Sequence, residues 1–240
     1  MFALGFETGD SRATREADLI IAIDGPSGAG KSTLAKKLAE DLGFIYLDTG
    51  AMYRALALKI LRQGLDLADD QKLAELVNST AVDLQGEGAE LRVLLDGKNV
   101  ASEIRTPAVS QMASKASALK LVRDRMLELQ RRLGERGSVV AEGRDIGTVV
   151  FPDAQVKIFL SASAAERARR RYAELRAAGQ PVDLDVTLRE IEQRDKRDSE
   201  RALAPLRKAD DALVIDSSNS TADEVAACVL AEIRMKQNEI

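Results

Sequence analysis

Residues 25–33 read GPSGAGKST and lie between an apolar run, LIIAI at residues 19–23, and a segment with a helical pattern. The stretch fits the pattern G-x-x-x-x-G-K-[ST], which requires a strand directly before it and a helix directly after it. The pattern positions are Gly25, Gly30, Lys31 and Ser32. The stretch therefore predicts a strand, a phosphate-binding loop and a helix in succession.

Small residues and a lysine have a physical purpose in such a loop. Glycines let successive backbone N–H groups turn toward phosphate oxygens, and the following helix adds the positive end of its dipole. Lys31 is expected to reach the β- and γ-phosphates, and the Ser32 hydroxyl to bind Mg²⁺. The residues expected to bind ATP here are Gly25, Pro26, Ser27, Gly28, Ala29, Gly30, Lys31, Ser32 and Thr33.

GTPases, motor ATPases and small-molecule kinases share the loop, but the absence of an N-K-x-D motif disfavours a GTPase.

The composition excludes several kinds of site. The chain has 240 residues, 45% of them hydrophobic, which suits one α/β domain with inserts. Its formal net charge of −4 gives no general attraction to nucleic acid or to an anionic membrane. Histidine is absent and Cys228 is the single cysteine, which excludes imidazole catalysis, an internal disulfide and a Cys-rich metal cluster. Any catalysis must use carboxylates, cations and the backbone.

Five short apolar runs are typical of strands that are buried on both faces of a parallel sheet. They span residues 19–23, 44–47, 138–141, 155–160 and 212–215. Helical segments lie between most of them, and two of these segments, 31–42 and 51–63, end at a glycine. Helix starts are indicated by Thr106 before a proline and by Thr221 with Glu224. This alternation predicts an α/β fold of the P-loop NTPase type, a five-stranded parallel sheet flanked by helices.

Two segments interrupt the alternation. Residues 80–100 contain short strand-like pieces and an Asp96-Gly97 turn, which predict an antiparallel β-hairpin in an insert at about 77–118. A helical, arginine-rich stretch predicts a hinged lid at about 167–201. We expect both segments to be moving parts.

The remaining segments bear on location. Residues 1–17 have no basic start and no continuous apolar stretch, so we expect a flexible tail without a signal peptide, followed by a domain at 18–240. No stretch offers about 18 consecutive apolar residues, so we expect no membrane span. With the single cysteine and the mild negative charge, we expect a cytoplasmic protein without a membrane or nucleic-acid partner. We also expect a monomer.

Several stretches together carry a resemblance to a known family. They are IDGPSGAGKST (23–33), YLDTGAMYR (46–54), EIRT (103–106), EGRDIGTVVFPDA (142–154) and RDKRDSERALAPL (194–206). With these motifs in order, the chain from about Leu19 to Ile215 closely resembles bacterial cytidylate (CMP) kinases, which are P-loop nucleoside monophosphate kinases. The resemblance implies phosphoryl transfer from MgATP to CMP or dCMP, giving ADP and CDP or dCDP, in pyrimidine nucleotide metabolism.

The resemblance also implies an acceptor site. The residues expected to bind CMP are Thr49, Tyr53, Arg54, Ser114, Arg123, Arg144, Asp145, Arg194, Asp198 and Arg201. Arg54 and Arg144 are implied to contact the CMP phosphate. Cytosine offers an N4 amino donor beside two acceptors, N3 and O2. Uracil instead offers an acceptor at O4 and a donor at N3. Asp145 and Ser114 as acceptors, with Arg123 as a donor, match cytosine and mismatch uracil.

One spacing is informative without the family. Arg194, Asp198 and Arg201 are spaced i, i+4 and i+7, so one helical face presents two guanidinium groups around a carboxylate. A solvated salt-bridge ladder would have the same spacing. The resemblance instead implies that Arg194 and Arg201 contact the transferring phosphate and that Asp198 holds the sugar hydroxyl. Lys31 and Arg144 complete the expected catalytic residues.

On the ATP side, Arg167 and Arg171 are spaced i and i+4. The resemblance implies that one lies over adenine while the other meets the ATP phosphates. The other arginines of that run, and Arg197, are expected at the surface. Glu142 follows a predicted strand, and the resemblance implies that it holds Mg²⁺ through water, beside Ser32.

Two alternatives stay open. One is a kinase of another small acceptor, such as UMP or shikimate. The other is a non-catalytic ATP-dependent switch or RNA-binding module built on the same loop, which predicts slow hydrolysis and no acceptor turnover. An aromatic content of 3% and the lack of a large basic stripe count against RNA.

Overall fold

A computed structural model of the chain describes residues 19–86 and 91–237. Its strands are β1 (Ile20–Asp24), β2 (Ile45–Asp48), β3 (Val82–Gln85), β4 (Arg92–Leu95), β5 (Lys98–Asn99), β6 (Val139–Gly143), β7 (Val156–Ser161) and β8 (Leu213–Asp216). Five of these form the central sheet in the order β2-β6-β1-β7-β8, and every neighbouring pair is parallel. This arrangement confirms the predicted fold class.

Helices cover both faces of the central sheet. They are α1 (Lys31–Leu42), α2 (Thr49–Arg62), α3 (Asp70–Asn78), α4 (Pro107–Ala116), α5 (Lys120–Gly134), α6 (Ala164–Ala177), α7 (Leu184–Glu200) and α8 (Ala222–Gln237). α1 and α8 pack on one face around Ile21, Ile23 and Val229, while α2 and α5 pack on the other with the insert. Burial on both faces explains why the inner strands β1 and β6 begin as continuous apolar runs, whereas β8, at the edge of the sheet, is only partly buried.

The ends of the central strands differ from their predicted ends in one respect. β1, β2 and β8 each extend to an aspartate, at Asp24, Asp48 and Asp216, although the predicted runs stop at the last apolar residue. The pairing continues because Asp24 and Asp48 lie opposite Gly143 and Glu142 of β6 in the ladder. These polar residues therefore lie at the carboxyl edge of the sheet, where α/β proteins bind ligands.

The predicted insert is an antiparallel sheet with the strand order β3-β4-β5. Asp96 (φ 49°) and Gly97 (φ 80°) form the turn between β4 and β5, and positive φ at both positions is typical of a two-residue hairpin turn. Residues 87–90 of the predicted insert and the predicted tail at 1–17 lie outside the described residues.

Local start and stop signals agree with the helix ends. Gly43 follows α1 with φ 67°, and Thr106 Oγ1 accepts the Val109 N–H at the start of α4. Thr221 and Glu224 form the reciprocal bonds of a capping box at α8. Among residues 19–86 and 91–237, none of the helices has the length and apolar character that crossing a bilayer requires.

Candidate active site

The phosphate loop, residues 25–33, has a backbone that only glycine adopts easily at several positions. Gly28 (φ 78°) and Gly30 (φ 93°) are in the left-handed region, and Gly25 has φ 149°. A Cβ at Gly25 would lie 2.0 Å from the carbonyl oxygen of Leu160 on β7, so a side chain there is sterically excluded. The glycines of the motif are therefore required by backbone shape and by close approach to the sheet.

Lys31 lies at the start of α1 and its side chain turns back over the loop. Its ammonium donates to the Pro26 carbonyl oxygen at 2.7 Å. Burial, together with the nearby Arg144 guanidinium, lowers the pKa of Lys31. Phosphate oxygens placed in this loop would therefore meet a buried cation whose charge the protein only partly compensates.

Glu142, near the end of β6, faces the same loop. Its carboxylate is buried, accepts a hydrogen bond from the Tyr46 hydroxyl at 2.5 Å, and lies within hydrogen-bonding reach of the Ser32 hydroxyl. Burial, with Asp48 close by, raises the pKa of Glu142, while Lys31 acts in the opposite direction. A cation beside Glu142 would stabilise the ionised form.

The residues at this edge fit a magnesium ion that arrives with a nucleotide. Mg²⁺ is usually held by one or two carboxylates, substrate phosphates and water rather than by an all-protein cage. Glu142 and Ser32 supply a carboxylate and a hydroxyl beside the phosphate loop. Within the described part of the chain, no cluster of three or more His, Cys, Asp or Glu side chains forms a metal cage.

The start of α2 forms the next wall of the site. Asp48 caps this helix by accepting the Ala51 N–H at 2.7 Å, and it pairs with the Arg54 guanidinium at 3.1 Å. The Thr49 hydroxyl donates to the Glu142 carbonyl oxygen at 2.7 Å, which ties α2 to β6. Arg54 and Thr49 therefore lie at the same sheet edge as the phosphate loop.

The acceptor loop, residues 144–147, follows β6, and its last two residues begin a π-helical turn at Ile146–Val150. Asp145 is buried and forms an ion pair with Arg123 of α5, while Arg201 lies 3.5 Å from its other oxygen. Tyr53 packs close by, and burial raises the pKa of its hydroxyl to about 12. The predicted cytosine-reading acid thus lies between two guanidinium groups and a tyrosine.

Asp198 is the centre of a second charged cluster, near the end of α7. One of its oxygens lies 3.0 Å from Arg144 and 3.8 Å from Arg194, and the other accepts from the Ser114 hydroxyl at 3.3 Å. Burial acts to raise the pKa of Asp198, but Arg144, Arg194 and Arg201 outweigh it and hold the pKa below its usual value. The i, i+4 pair predicted from the spacing of Arg194 and Asp198 is therefore present. The predicted i+7 position was wrong, because α7 ends at Glu200 and Arg201 follows it in an extended conformation.

The structure places Arg167 differently from Arg171. Arg167 is 5% exposed, and its guanidinium donates to the carbonyl oxygens of Ala162 at 2.9 Å and Ser27 at 3.1 Å. It also pairs with Asp195 of α7 at 2.6 Å. Arg171 faces the cleft and pairs with Glu174, one turn along α6, at 3.1 Å. Arg167 therefore connects α6, α7 and the phosphate loop.

Two expectations about surface arginines were wrong. Arg170 is half-buried, donates to both oxygens of Ser217 and faces Gly30 of the phosphate loop. Arg197 is also part-buried and donates to Gln111 of α4 at 2.6 Å. The helical spacing alone could not identify their partners, because Ser217 and Gln111 lie far away in the chain.

These groups meet in one cleft of about 760 Å³. It brings together Ser27, Gly28, Gly30, Lys31, Ser32, Thr33, Thr49, Tyr53, Arg54, Ser114, Glu142, Arg144, Asp145, Arg171, Arg194, Asp198 and Arg201. The predicted contacts outside its lining are Gly25, Pro26, Ala29, Arg123 and Arg167. The cleft is also lined by residues that were not predicted, among them Lys36, Tyr46, Arg105 and Arg170. Tyr46 and Arg105 lie within the motifs YLDTGAMYR and EIRT, so their membership of these motifs was the signal that could have identified them.

Comparison with known proteins gives a consistent result. Residues 21–235 match the family model described as Cytidylate kinase. The chain is 52% identical over 213 residues to the cytidylate kinase of Citrifermentans bemidjiense, covering 89% of this chain and 91% of that protein. It is 51% identical over 220 residues to that of Pelotomaculum thermopropionicum, covering 91% and 97%. A solved shikimate kinase from Acinetobacter baumannii aligns over 92% of this chain and 95% of its own, with 18% identity and a TM-score of 0.42, too distant to inform the acceptor.

Proposed function

The chain belongs to the cytidylate kinase family, and on that premise we propose that it transfers the γ-phosphoryl group of MgATP to CMP or dCMP. The products are ADP and CDP or dCDP. The observation that carries this proposal is the cleft itself, in which the phosphate loop faces an acceptor pocket built from arginines and buried acids.

The ATP end is formed by the phosphate loop and α6. Backbone N–H groups of the loop and the start of α1 cradle the phosphates, and Lys31 contacts the β- and γ-phosphates. Arg171 contacts the ATP phosphates from α6, while Arg167 acts on the loop through the Ser27 carbonyl. Ser32 and Glu142 are the residues that would hold Mg²⁺, which neutralises phosphate charge when bound.

The acceptor end separates phosphate contacts from base contacts. Arg54, Arg144, Arg194 and Arg201 supply positive charge for the CMP phosphate and the transferring group, and Asp198 accepts from the sugar hydroxyl. Asp145 accepts from the cytosine amino group, with Ser114 and Arg123 completing the base contacts beside Thr49 and Tyr53. Uracil would present an acceptor where cytosine presents its amino group. Each unmet buried polar group costs about 1–3 kcal/mol, which suffices for a preference for CMP.

The chemistry requires positioning and charge stabilisation. The attacking phosphate oxygen of CMP is already ionised near neutral pH, so no strong base is needed, which agrees with a chain without histidine. Lys31 and the arginines stabilise the negative charge of the transferring group. The insert at about 77–118 and the lid at about 167–201 close over the substrates and exclude water, which limits ATP hydrolysis.

The proposed enzyme needs no second chain, because residues from one chain line both ends of the cleft. We therefore propose a monomer that acts in the cytoplasm. Sedimentation of the purified protein at assay concentration checks the oligomeric state.

A coupled ADP-release assay with CMP, dCMP, UMP, AMP and shikimate tests the function. We expect turnover with CMP and dCMP to exceed turnover with every other acceptor. Faster turnover of UMP, AMP or shikimate would contradict the acceptor assignment. Slow hydrolysis of ATP that no acceptor accelerates would instead favour a switch or an RNA-binding module.

A further inference from the structure

Asp24 is a buried carboxylate to which the proposed function gives no role. It is the last residue of β1, directly before Gly25 of the phosphate loop, and it is 4% exposed. Its two oxygens accept the backbone N–H groups of Ile146 at 2.7 Å and Gly147 at 2.8 Å. One side chain therefore bridges the strand that carries the phosphate loop and the acceptor loop.

The acceptor loop depends on these two bonds for its shape. Its π-helical turn begins at Ile146, and the first N–H groups of a helical turn have no partner within the turn. Asp24 supplies those partners, while the Asp145 carbonyl oxygen accepts from both Val149 and Val150. π-Helical turns are rare and occur mostly at functional sites. Asp145 is thus held at the junction between the Asp24 bridge and this turn.

The close approach also constrains the residue that faces Asp24. A Cβ at Gly147 would lie 3.1 Å from the Lys157 side chain and 3.5 Å from an oxygen of Asp24. A side chain at this position would require the Lys157 side chain to move by a few tenths of an ångström, whereas its distance to Asp24 is an ordinary van der Waals contact. The bridge therefore combines two specific hydrogen bonds with close packing of Gly147 beside Asp24 and the Lys157 side chain.

The buried position of Asp24 opposes the ionisation of its carboxyl group. Burial raises the pKa of Asp24 to about 6, while the bonds to Gly147 and Ile146 act in the opposite direction. Asp145 adds repulsion and Lys31 adds attraction. A buried carboxylate is thus a less favourable cap for a turn than a neutral side chain would be. Its presence here indicates that its position matters for function.

We propose that Asp24 is a positioning residue that holds the acceptor loop against the phosphate loop and so sets the alignment of the two substrates. The inference deepens the proposed function and rests on it. Asp24 contacts neither substrate in this scheme. It acts through Arg144 and Asp145 on one side and through the adjoining phosphate loop on the other.

The test is Asp24→Asn, which keeps the shape of the side chain but places an amide N–H₂ against a backbone N–H. We expect kcat with CMP to fall about 10- to 100-fold, because small misplacements of reacting groups have effects of this size. The KM for CMP should rise. The KM for ATP should stay within about twofold of the wild-type value, since the backbone conformation of the phosphate loop does not depend on Asp24. Asp69→Asn is the matched control, because Asp69 caps α3 by accepting the Lys72 N–H and pairs with the Lys72 ammonium away from the cleft. That control should leave kcat and both KM values unchanged.

Two kinetic outcomes would overturn the inference. A folded Asp24→Asn variant with wild-type kcat and KM values would show that the bridge has no effect on alignment. Equal losses in the affinities for ATP and CMP, in step with a lower melting temperature, would show a structural role only.

Hydrogen exchange gives a readout that needs no turnover. In the wild type, the Ile146 and Gly147 amides should be protected, and an ATP analogue alone should increase this protection, because Asp24 joins the two loops. In Asp24→Asn the protection should fall at these two amides but persist in β1 and β6. Unchanged protection in the wild type on addition of the analogue would contradict the bridge, even if the variant does not fold. A wild type that fails to phosphorylate CMP would sink the proposed function but leave this measurement decisive for Asp24.

Discussion

At the scale of single residues, acids and arginines of the cleft form ion pairs with one another. Asp145 pairs with Arg123 and lies close to Arg201, and Asp198 lies between Arg144 and Arg194. The cations proposed for phosphates are thus held by the acids proposed for the base and the sugar. Because a buried charge without a partner is costly, each carboxylate stabilises its arginines.

Base choice is a residue-scale property. Asp145→Ala removes the proposed acceptor for the cytosine amino group, so the ratio of kcat/KM for CMP over UMP should fall about 5- to 150-fold. Rates with both nucleotides under identical conditions measure this ratio. Asp124→Ala is the control, because Asp124 lies on the exposed side of α5 and pairs with Lys120. An unchanged ratio in folded Asp145→Ala would show that another group reads the base.

Asp24 also makes a residue-scale prediction about pH. Its folded-state pKa is about 6 against an ordinary value of 3.8, so its proton binds more tightly in the folded state. The resulting stabilisation is complete below about pH 4 and is lost as the pH rises through about 6. The free energy of unfolding of the wild type, relative to Asp24→Asn, should therefore fall by about 2–3 kcal/mol from pH 4 to pH 7.

Denaturant titrations of both proteins across this range measure the difference. A difference that stays constant with pH would show that Asp24 does not titrate there. The comparison with Asp24→Asn cancels the contributions of other buried acids, such as Glu142.

At the scale of elements, the site is built where strands end and helices begin. β1 and β6 end beside each other, so the phosphate loop and the acceptor loop leave the sheet at one edge. α6 and α7 pack together and are joined to that edge through Arg167, which contacts Ser27 and Asp195. The position of the helical pair is therefore coupled to the phosphate loop by a buried guanidinium.

This coupling predicts different consequences for two neighbouring arginines. Arg167→Ala removes a buried ion pair and two hydrogen bonds, so we expect a loss of about 1–3 kcal/mol, moderated because Asp195 is partly exposed. For a chain of this size, that loss lowers the melting temperature by several degrees. Arg171→Ala should leave the melting temperature unchanged and raise the KM for ATP. Calorimetry and ATP titrations measure both effects, and equal melting temperatures for the two variants would contradict the assignment of Arg167.

At the scale of the whole molecule, one cleft serves two anionic substrates. Its walls come from the phosphate loop, α2, α4, the acceptor loop, α6 and α7. Arginines therefore approach the reacting groups from several elements, which offsets the repulsion between the nucleotides. Ligands that bridge these elements should stabilise the folded chain.

A non-hydrolysable ATP analogue or CMP, each at about 100 times its Kd, should add about 2.7 kcal/mol of stability. This corresponds to a rise in melting temperature of about 5–10 °C for each ligand. Lys31→Ala should lose the shift with the ATP analogue and keep the shift with CMP, because Lys31 belongs to the phosphate loop. Lys120→Ala, at an exposed position on α5, should keep both shifts. A full analogue shift in Lys31→Ala would contradict the proposed role of the loop lysine.

Local chemistry explains why so much could be predicted. The glycine spacing of residues 25–33, the glycine after α1 and the capping box at Thr221 each act within a few residues, so the sequence alone is sufficient to identify them. The five apolar runs likewise correspond to the five strands of the central sheet, of which β8, at its edge, is only partly buried. The strand ends were less well predicted, because the acids Asp24 and Asp48 continue the ladder through pairing with β6.

The amino-acid sequence by itself determined the phosphate loop, the alternation of strands and helices and the inventory of acids and arginines, since these depend on local backbone preference and composition. Only the tertiary structure decided which charges meet. Asp24 reaches Ile146 across 122 positions and Ser114 reaches Asp198 across 84, because the strand order and the packing of α7 bring them together. The same long-range packing buries Arg167 and directs Arg170 to the phosphate loop, which no helical spacing could reveal.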